Sequence, residues 1–93
     1  MSERSDRLAA TLRERLGARH VEVEDESHLH AGHAGAQGGA GHFRALIVSE
    51  RFEGLNRVQA QRLVYEAVAD EMATWIHALS LRTLTPEKWR EQA

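Results

Sequence analysis

The sequence contains no cysteine, and its longest uninterrupted apolar runs are only a few residues long. Disulfide bonds are therefore excluded, and a metal centre with thiolate ligands would have to take its sulfur from a partner. No run approaches the length that a membrane-spanning helix needs. The N-terminal segment carries acids among its arginines and has no apolar core, unlike a secretory signal, so we expect the protein in the cytoplasm.

The sequence also lacks an excess of positive charge and any familiar catalytic pattern. Its formal net charge is -2, which argues against a protein dedicated to binding nucleic acids. Ser27, Ser49 and Ser80 lie in no nucleophile motif. The glycines between residues 28 and 42 are not followed by the lysine and helix of a phosphate-binding loop. These absences predict a binding protein rather than an enzyme.

What the chain does contain is a segment, residues 28–42, with four of its six histidines, five glycines and no charged side chain. Imidazoles bind zinc, iron, copper and nickel, and the candidate ligands here are His28, His30, His33 and His42. This glycine density disfavours a regular helix or strand, so we expect a flexible loop at about 27–42. Two interpretations stay open from the residues alone: a self-contained zinc or nickel site, and a solvated loop in which histidine is merely polar.

The remainder of the chain has the periodicity of a small α+β domain. Leucines recur at helical spacing near the N-terminus, residues 20–25 alternate between apolar and polar, and residues 43–49 are apolar enough for a central strand. Asn56 is suited to cap a second helix and Pro86 to open a last one. The predicted elements are a helix at 5–16, strands at 20–25 and 43–49, a helix from 56 to about 73, a strand at 78–83 and a final helix from 86. This order predicts a three-stranded mixed sheet with helices packed on one face.

One histidine outside the glycine-rich segment stands at a boundary between elements. His77 lies between Ile76 and Ala78, where the predicted second helix gives way to the predicted third strand. A lone histidine in such a place is more often a hydrogen-bonded structural residue than a metal ligand. The residues alone therefore favour a structural role for His77.

A series of short motifs extends over nearly the whole chain, from the first helix to Trp89. In order they are Asp25-Glu26-Ser27 followed by His30, His42-Phe43-Arg44, Val48-Ser49-Glu50-Arg51-Phe52-Glu53-Gly54, Arg62-Leu63-Val64-Tyr65, Ile76-His77-Ala78-Leu79-Ser80-Leu81, Thr85-Pro86 and Trp89. Each motif is short, but their order and spacing are specific in combination. Together they resemble the BolA family.

The resemblance implies that residues 1–93 form a single BolA-like domain with the order α-β-β-α-α-β-α, similar to class II KH domains. It also implies a partnership with a monothiol glutaredoxin and a [2Fe-2S] cluster that the two proteins share. The glutaredoxin cysteine and glutathione supply the sulfur in such complexes, and the BolA-like protein supplies histidines. By the family pattern the ligands are His77 and His30. Because His28 and His33 are additional to that pattern, either is an alternative to His30.

Some members of the family act as DNA-binding regulators of transcription, which gives the resemblance a second implication. The candidate phosphate contacts on the second helix and the third strand are Arg57, Arg62 and Arg82. The chain has Ala60-Gln61-Arg62 where the family commonly has Arg-His-Arg, and it lacks the G-x-x-G clamp of KH domains. We therefore expect a partner protein in iron–sulfur trafficking or iron regulation, with DNA binding as the alternative.

Overall fold

The computed structural model describes residues 3–26 and 41–92. The described elements are α1 (Glu3–Leu16), β1 (His20–Asp25), β2 (Gly41–Val48), a short 3-10 helix (Glu50–Phe52), α2 (Arg57–Ala67), α3 (Ala69–Thr74), β3 (Ile76–Leu84) and α4 (Pro86–Gln92). This order confirms the predicted α+β class and the pair of helices between the second and third strands.

The three strands form one mixed sheet in the order β1-β2-β3. β1 and β2 are antiparallel, with Val21 opposite Ile47, and β2 and β3 are parallel, with Phe43 opposite Leu79. The parallel pair requires a crossover connection, which α2 and α3 provide. The central position predicted for β2 is confirmed.

The main core lies between one face of the sheet and the helices α1 and α2. Leu8, Leu12 and Leu16 of α1 are fully buried, as their four-residue spacing predicts. They pack in one cluster with Phe43 and Ile47 of the central strand. Because alternate residues of β2 point to opposite faces, Arg44 between them stays exposed.

Three element boundaries differ from the prediction. The helix expected from 56 to about 73 divides at Val68, whose φ of −114° and ψ of 27° leave the helical region while its side chain stays fully buried. β2 begins at Gly41 rather than at residue 43, and β3 begins at Ile76 rather than at residue 78. The loop prediction for 41 and 42 is thus wrong, because Gly41 pairs with Ile76 and His42 with Ala78 across the sheet.

The C-terminal helix α4 contacts the other face of the sheet. The Trp89 ring stacks on His20 with 4.7 Å between ring centroids, and Arg82 Nη2 donates to Gln92 Oε1 at 2.9 Å. His20 pairs with Val48, and Arg82 pairs with Leu46. The side chains of His20 and Arg82 therefore lie on the face of the sheet that points away from the main core. The prediction that the helices pack on one face is therefore correct for α1 and α2. The contacts of α4 instead place this helix on the opposite face.

Candidate functional site

The structure brings together two of the five histidines that the sequence singled out. The rings of His42 and His77, which we call the histidine pair, have centroids 5.0 Å apart and planes inclined by 47°. His28, His30 and His33 lie outside the described residues, so their predicted roles as ligands stay predictions.

The histidine pair arises from the parallel pairing of β2 and β3. Each histidine is the second residue of its strand, and parallel strands place their N-terminal ends side by side. The register shifts between Gly41, which pairs with Ile76, and His42, which pairs with Ala78. His77 is therefore an extra residue on β3, and such irregularities redirect a side chain locally. This explains how its ring reaches that of His42.

Gly41 occupies a position where no side chain fits. A Cβ atom built there would stand 2.6 Å from Cε2 of Phe43 and 2.6 Å from the backbone oxygen of Trp75. The start of β2 is thus pressed against the end of the α3 segment, and the Phe43 and Trp75 rings meet edge to face with centroids 5.7 Å apart. The glycine-rich composition predicts a loop at Gly41 and carries no sign that this residue sets the approach of the two strands.

Trp75 is a second residue that positions this end of the sheet. Its ring packs under the guanidinium of Arg7, with Cζ 4.9 Å from a ring centroid, which fixes the end of α3 to α1. Its buried indole Nε1 has no hydrogen-bond partner within the described residues. The signal in the sequence was its place immediately before Ile76-His77, because a large aromatic residue there anchors the strand start on the core.

The histidine pair is accessible from solvent. His77 is exposed and His42 half-buried. Next to them, the Glu26 amide donates to the His42 carbonyl at 2.7 Å, and the Glu26 carboxylate lies 3.5 Å from Nε of Arg44. In the described ranges, no three histidine or acidic side chains converge on a possible metal position.

The distance between the two ring centroids is in the range expected for two imidazoles on one metal ion. Imidazole nitrogen binds zinc at about 2.0–2.1 Å, so two rings on one ion have centroids roughly 5 Å apart. The 5.0 Å measured between His42 and His77 matches this distance. A four-coordinate ion would still need two further ligands, and the chain has no cysteine to supply them.

The three arginines predicted to contact phosphate lie in two different places. Arg57 at the start of α2 and Arg82 on β3 line the same cavity, together with Lys88 of α4, which lies in none of the sequence motifs. Arg62 instead lines a shallower depression on α2 beside Val58 and Tyr65. The three arginines therefore do not form one contact surface.

Comparison with known proteins shows which family the chain resembles over most of its length. The BolA-like protein family profile matches residues 12–88. The human protein named BolA-like protein 1 is 43% identical over 86 residues, which cover 92% of this chain and 61% of the human one. The "DNA-binding transcriptional regulator BolA" of Haemophilus influenzae is 39% identical over 70 residues, covering 75% of this chain and 65% of that protein.

Solved structures agree with this placement. The BolA domain of SufE1 from Arabidopsis thaliana superposes with a TM-score of 0.81 and 38% identity, covering 95% of this chain and 98% of that one. This chain spans about three fifths of the length of the curated mouse and human relatives that it matches. None of the described helices is both long and apolar enough to cross a bilayer. On its sequence and its fold, the chain belongs to the BolA-like protein family.

Proposed function

We propose that this protein is a non-enzymatic partner of a monothiol glutaredoxin and shares with it the ligation of a [2Fe-2S] cluster. The observation that carries the proposal is the histidine pair, two accessible imidazoles 5.0 Å apart at one end of the sheet. They make half of a ligand set. Because the chain has no cysteine, the sulfur ligands come from outside it, and the glutaredoxin cysteine and glutathione supply these thiolates.

His77 is the ligand on which the proposal depends, because it is exposed on β3 and matches the family histidine. There are two alternatives for the second histidine ligand. His30 is the ligand that the family pattern implies, with His28 and His33 as its neighbours in the same segment. His42 is the described histidine that lies next to His77. Histidine ligation gives the bound cluster a higher reduction potential than all-cysteine ligation does, which suits cluster trafficking or iron regulation.

The proposal is tested by titrating this chain into a cluster-loaded monothiol glutaredoxin with glutathione and following visible absorption and circular dichroism. We expect the spectra to change to a new end point as histidine enters the cluster's coordination. The His77→Ala variant should lose that change, because it lacks the proposed ligand. It should still fold, because the exposed side chain of His77 contributes little to stability. His20→Ala is the matched control, because His20 lies at the opposite end of the sheet, paired with Val48. A His77→Ala end point identical to that of the native chain would refute the proposal.

DNA binding is the second candidate, and the name of the Haemophilus relative, a DNA-binding transcriptional regulator, favours it. Arg57 and Arg82 lie close enough to line one cavity, whereas Arg62 lies apart from them. If a duplex is bound through phosphate contacts, its affinity should fall steeply with salt, and Arg62→Gln should weaken it and reduce the salt dependence by about one ion. A fluorescence anisotropy titration at several salt concentrations measures both quantities, and a salt-independent affinity would exclude this mode.

A further inference from the structure

A cavity of about 450 Å³ opens between the start of α2, the second half of β3 and the start of α4, away from the histidine pair. Phe52, Ala60 and Leu84 contribute to its wall, and each is less than a tenth exposed. Leu55, which is 38% exposed, extends this apolar wall to the rim. Ligand cavities in proteins commonly have this size and combine an apolar wall with a few polar groups.

The charged groups around the cavity are all positive. Arg57, Arg82 and Lys88 come from three different elements, and no aspartate or glutamate among the described residues lines the cavity. The chain as a whole has 14 acidic residues against 12 lysines and arginines, so its composition would predict a mixed lining. We call this place the basic cavity.

The three cations of the basic cavity are not neutralised by neighbouring acids. Elsewhere, Arg15 pairs with Glu71 and Arg44 with Glu26. In the part of the chain that the structure describes, no carboxylate lies within ion-pair distance of Arg57, Arg82 or Lys88. Their positive charge is therefore available to an anion.

Neutral polar groups hold the basic cavity in shape without cancelling its charge. Arg82 Nη2 donates to the uncharged Gln92 Oε1 at 2.9 Å, which orients the guanidinium. Asn56 caps α2 by accepting from the Gln59 amide at 2.8 Å, and this fixes the residue before Arg57. The hydroxyl-bearing Thr83 and Thr85 also line the cavity and provide further hydrogen-bond donors.

We infer that the basic cavity binds a small organic molecule that carries a phosphate monoester. Arginine and lysine together recognise a phosphate group through charge-assisted hydrogen bonds. The apolar wall formed by Phe52, Leu55 and Leu84 accommodates the organic body of the same molecule. A concave site lined by three cations suits one phosphate group, whereas a duplex presents phosphates along an extended convex surface and is bound by a basic stripe.

The test uses the full chain, with adenosine monophosphate as the phosphate monoester, inorganic phosphate as the bare anion, and a DNA duplex as the extended alternative. Binding is followed by calorimetry and by backbone amide shifts in nuclear magnetic resonance. The variant R57Q/K88Q removes two cavity cations, and R13Q/R90Q is the matched control, because it removes two exposed cations outside the cavity, one of them on the same helix as Lys88.

We expect adenosine monophosphate to bind saturably and more tightly than inorganic phosphate, with shifts centred on Arg57, Thr83 and Lys88. R57Q/K88Q should weaken this binding by about tenfold or more, while R13Q/R90Q stays within about twofold of the native chain. Three results would overturn the inference: no saturable binding of adenosine monophosphate, an equal loss in both double variants, or binding of the duplex alone. Equal affinities for the nucleotide and inorganic phosphate would overturn the role of the apolar wall.

Discussion

Replacing Gly41 with alanine should destabilise the protein by about 3 kcal/mol and separate the histidine pair. The added methyl would lie 2.6 Å from a ring carbon of Phe43 and 2.6 Å from the Trp75 carbonyl. Neither neighbour can move away easily, because Phe43 is only 2% exposed within the core and the other contact is backbone. Relief therefore requires the start of β2 to shift away from β3, and His42 lies on that part of the strand.

Two measurements check this prediction: the free energy of unfolding in urea, and the proton contacts between the His42 and His77 rings in nuclear magnetic resonance. Gly54→Ala is the control, because Gly54 has a φ of 81° and a Cβ atom added to it would have nothing within 4 Å. Its expected cost is about 1 kcal/mol from backbone strain alone, with the ring contacts unchanged. If Gly41→Ala cost no more than Gly54→Ala and kept the ring contacts, the close approach at Gly41 would not be what positions the histidine pair.

The fold could be predicted from the sequence wherever a side-chain period was sustained. Leu8, Leu12 and Leu16 mark the buried stripe of α1, and all three are fully buried. The strand β3 was predicted to start two residues late, since Ile76 and His77 stand next to a helix and carry no alternation of their own. The division at Val68 was equally invisible to the residue pattern, because Val64 and Val68 continue one helical stripe through the bend.

The sequence named the two histidines of the candidate site, but it did not predict that their rings lie together. His42 and His77 were each selected, one from composition and one from the family pattern, yet they are 35 positions apart in the chain. Their meeting depends on the parallel register of β2 and β3 and on one irregularity in it, and neither is encoded in a local pattern. Glycine density suggested freedom at Gly41, where the structure instead requires the absence of a side chain.

A second large effect is expected at the contact between α1 and α3. Glu71 is a nearly buried carboxylate, 7% exposed, and Arg15 Nη1 donates to its Oε1 at 2.9 Å. The same nitrogen lies 2.7 Å from the backbone oxygen of Ala67, which it also reaches as a donor. The Arg15 hydrogen bond holds the pKa of Glu71 below its ordinary value of 4.5, although burial alone would raise that pKa.

Arg15→Ala should reduce the free energy of unfolding at pH 7 by about 2–3 kcal/mol, because it leaves a buried carboxylate without its partner. The expected loss is smaller than for a fully buried pair, since the Arg15 side chain is 44% exposed. For a domain of this size such a loss is a large share of the total stability. Urea unfolding measures it, and Arg13→Ala, an exposed arginine on the same helix, should change stability by less than about 0.5 kcal/mol.

The stability loss in Arg15→Ala should depend on pH, which a simple loss of packing would not do. In the native chain the pKa of Glu71 is lower folded than unfolded, so its contribution is complete above the ordinary value of 4.5 and is lost as the pH falls through the folded pKa. In Arg15→Ala, the Arg15 guanidinium no longer opposes the effect of burial, so the pKa of Glu71 in the folded protein should rise. Protonation of Glu71 then removes the unpaired buried charge, and the variant should lose less stability relative to the native chain. The stability difference between the two proteins should therefore be largest near neutral pH and shrink on acidification toward and below the ordinary value of 4.5. A difference that stays constant over this range would mean that Arg15 acts through its hydrogen bond to the Ala67 carbonyl and not through the charge of Glu71.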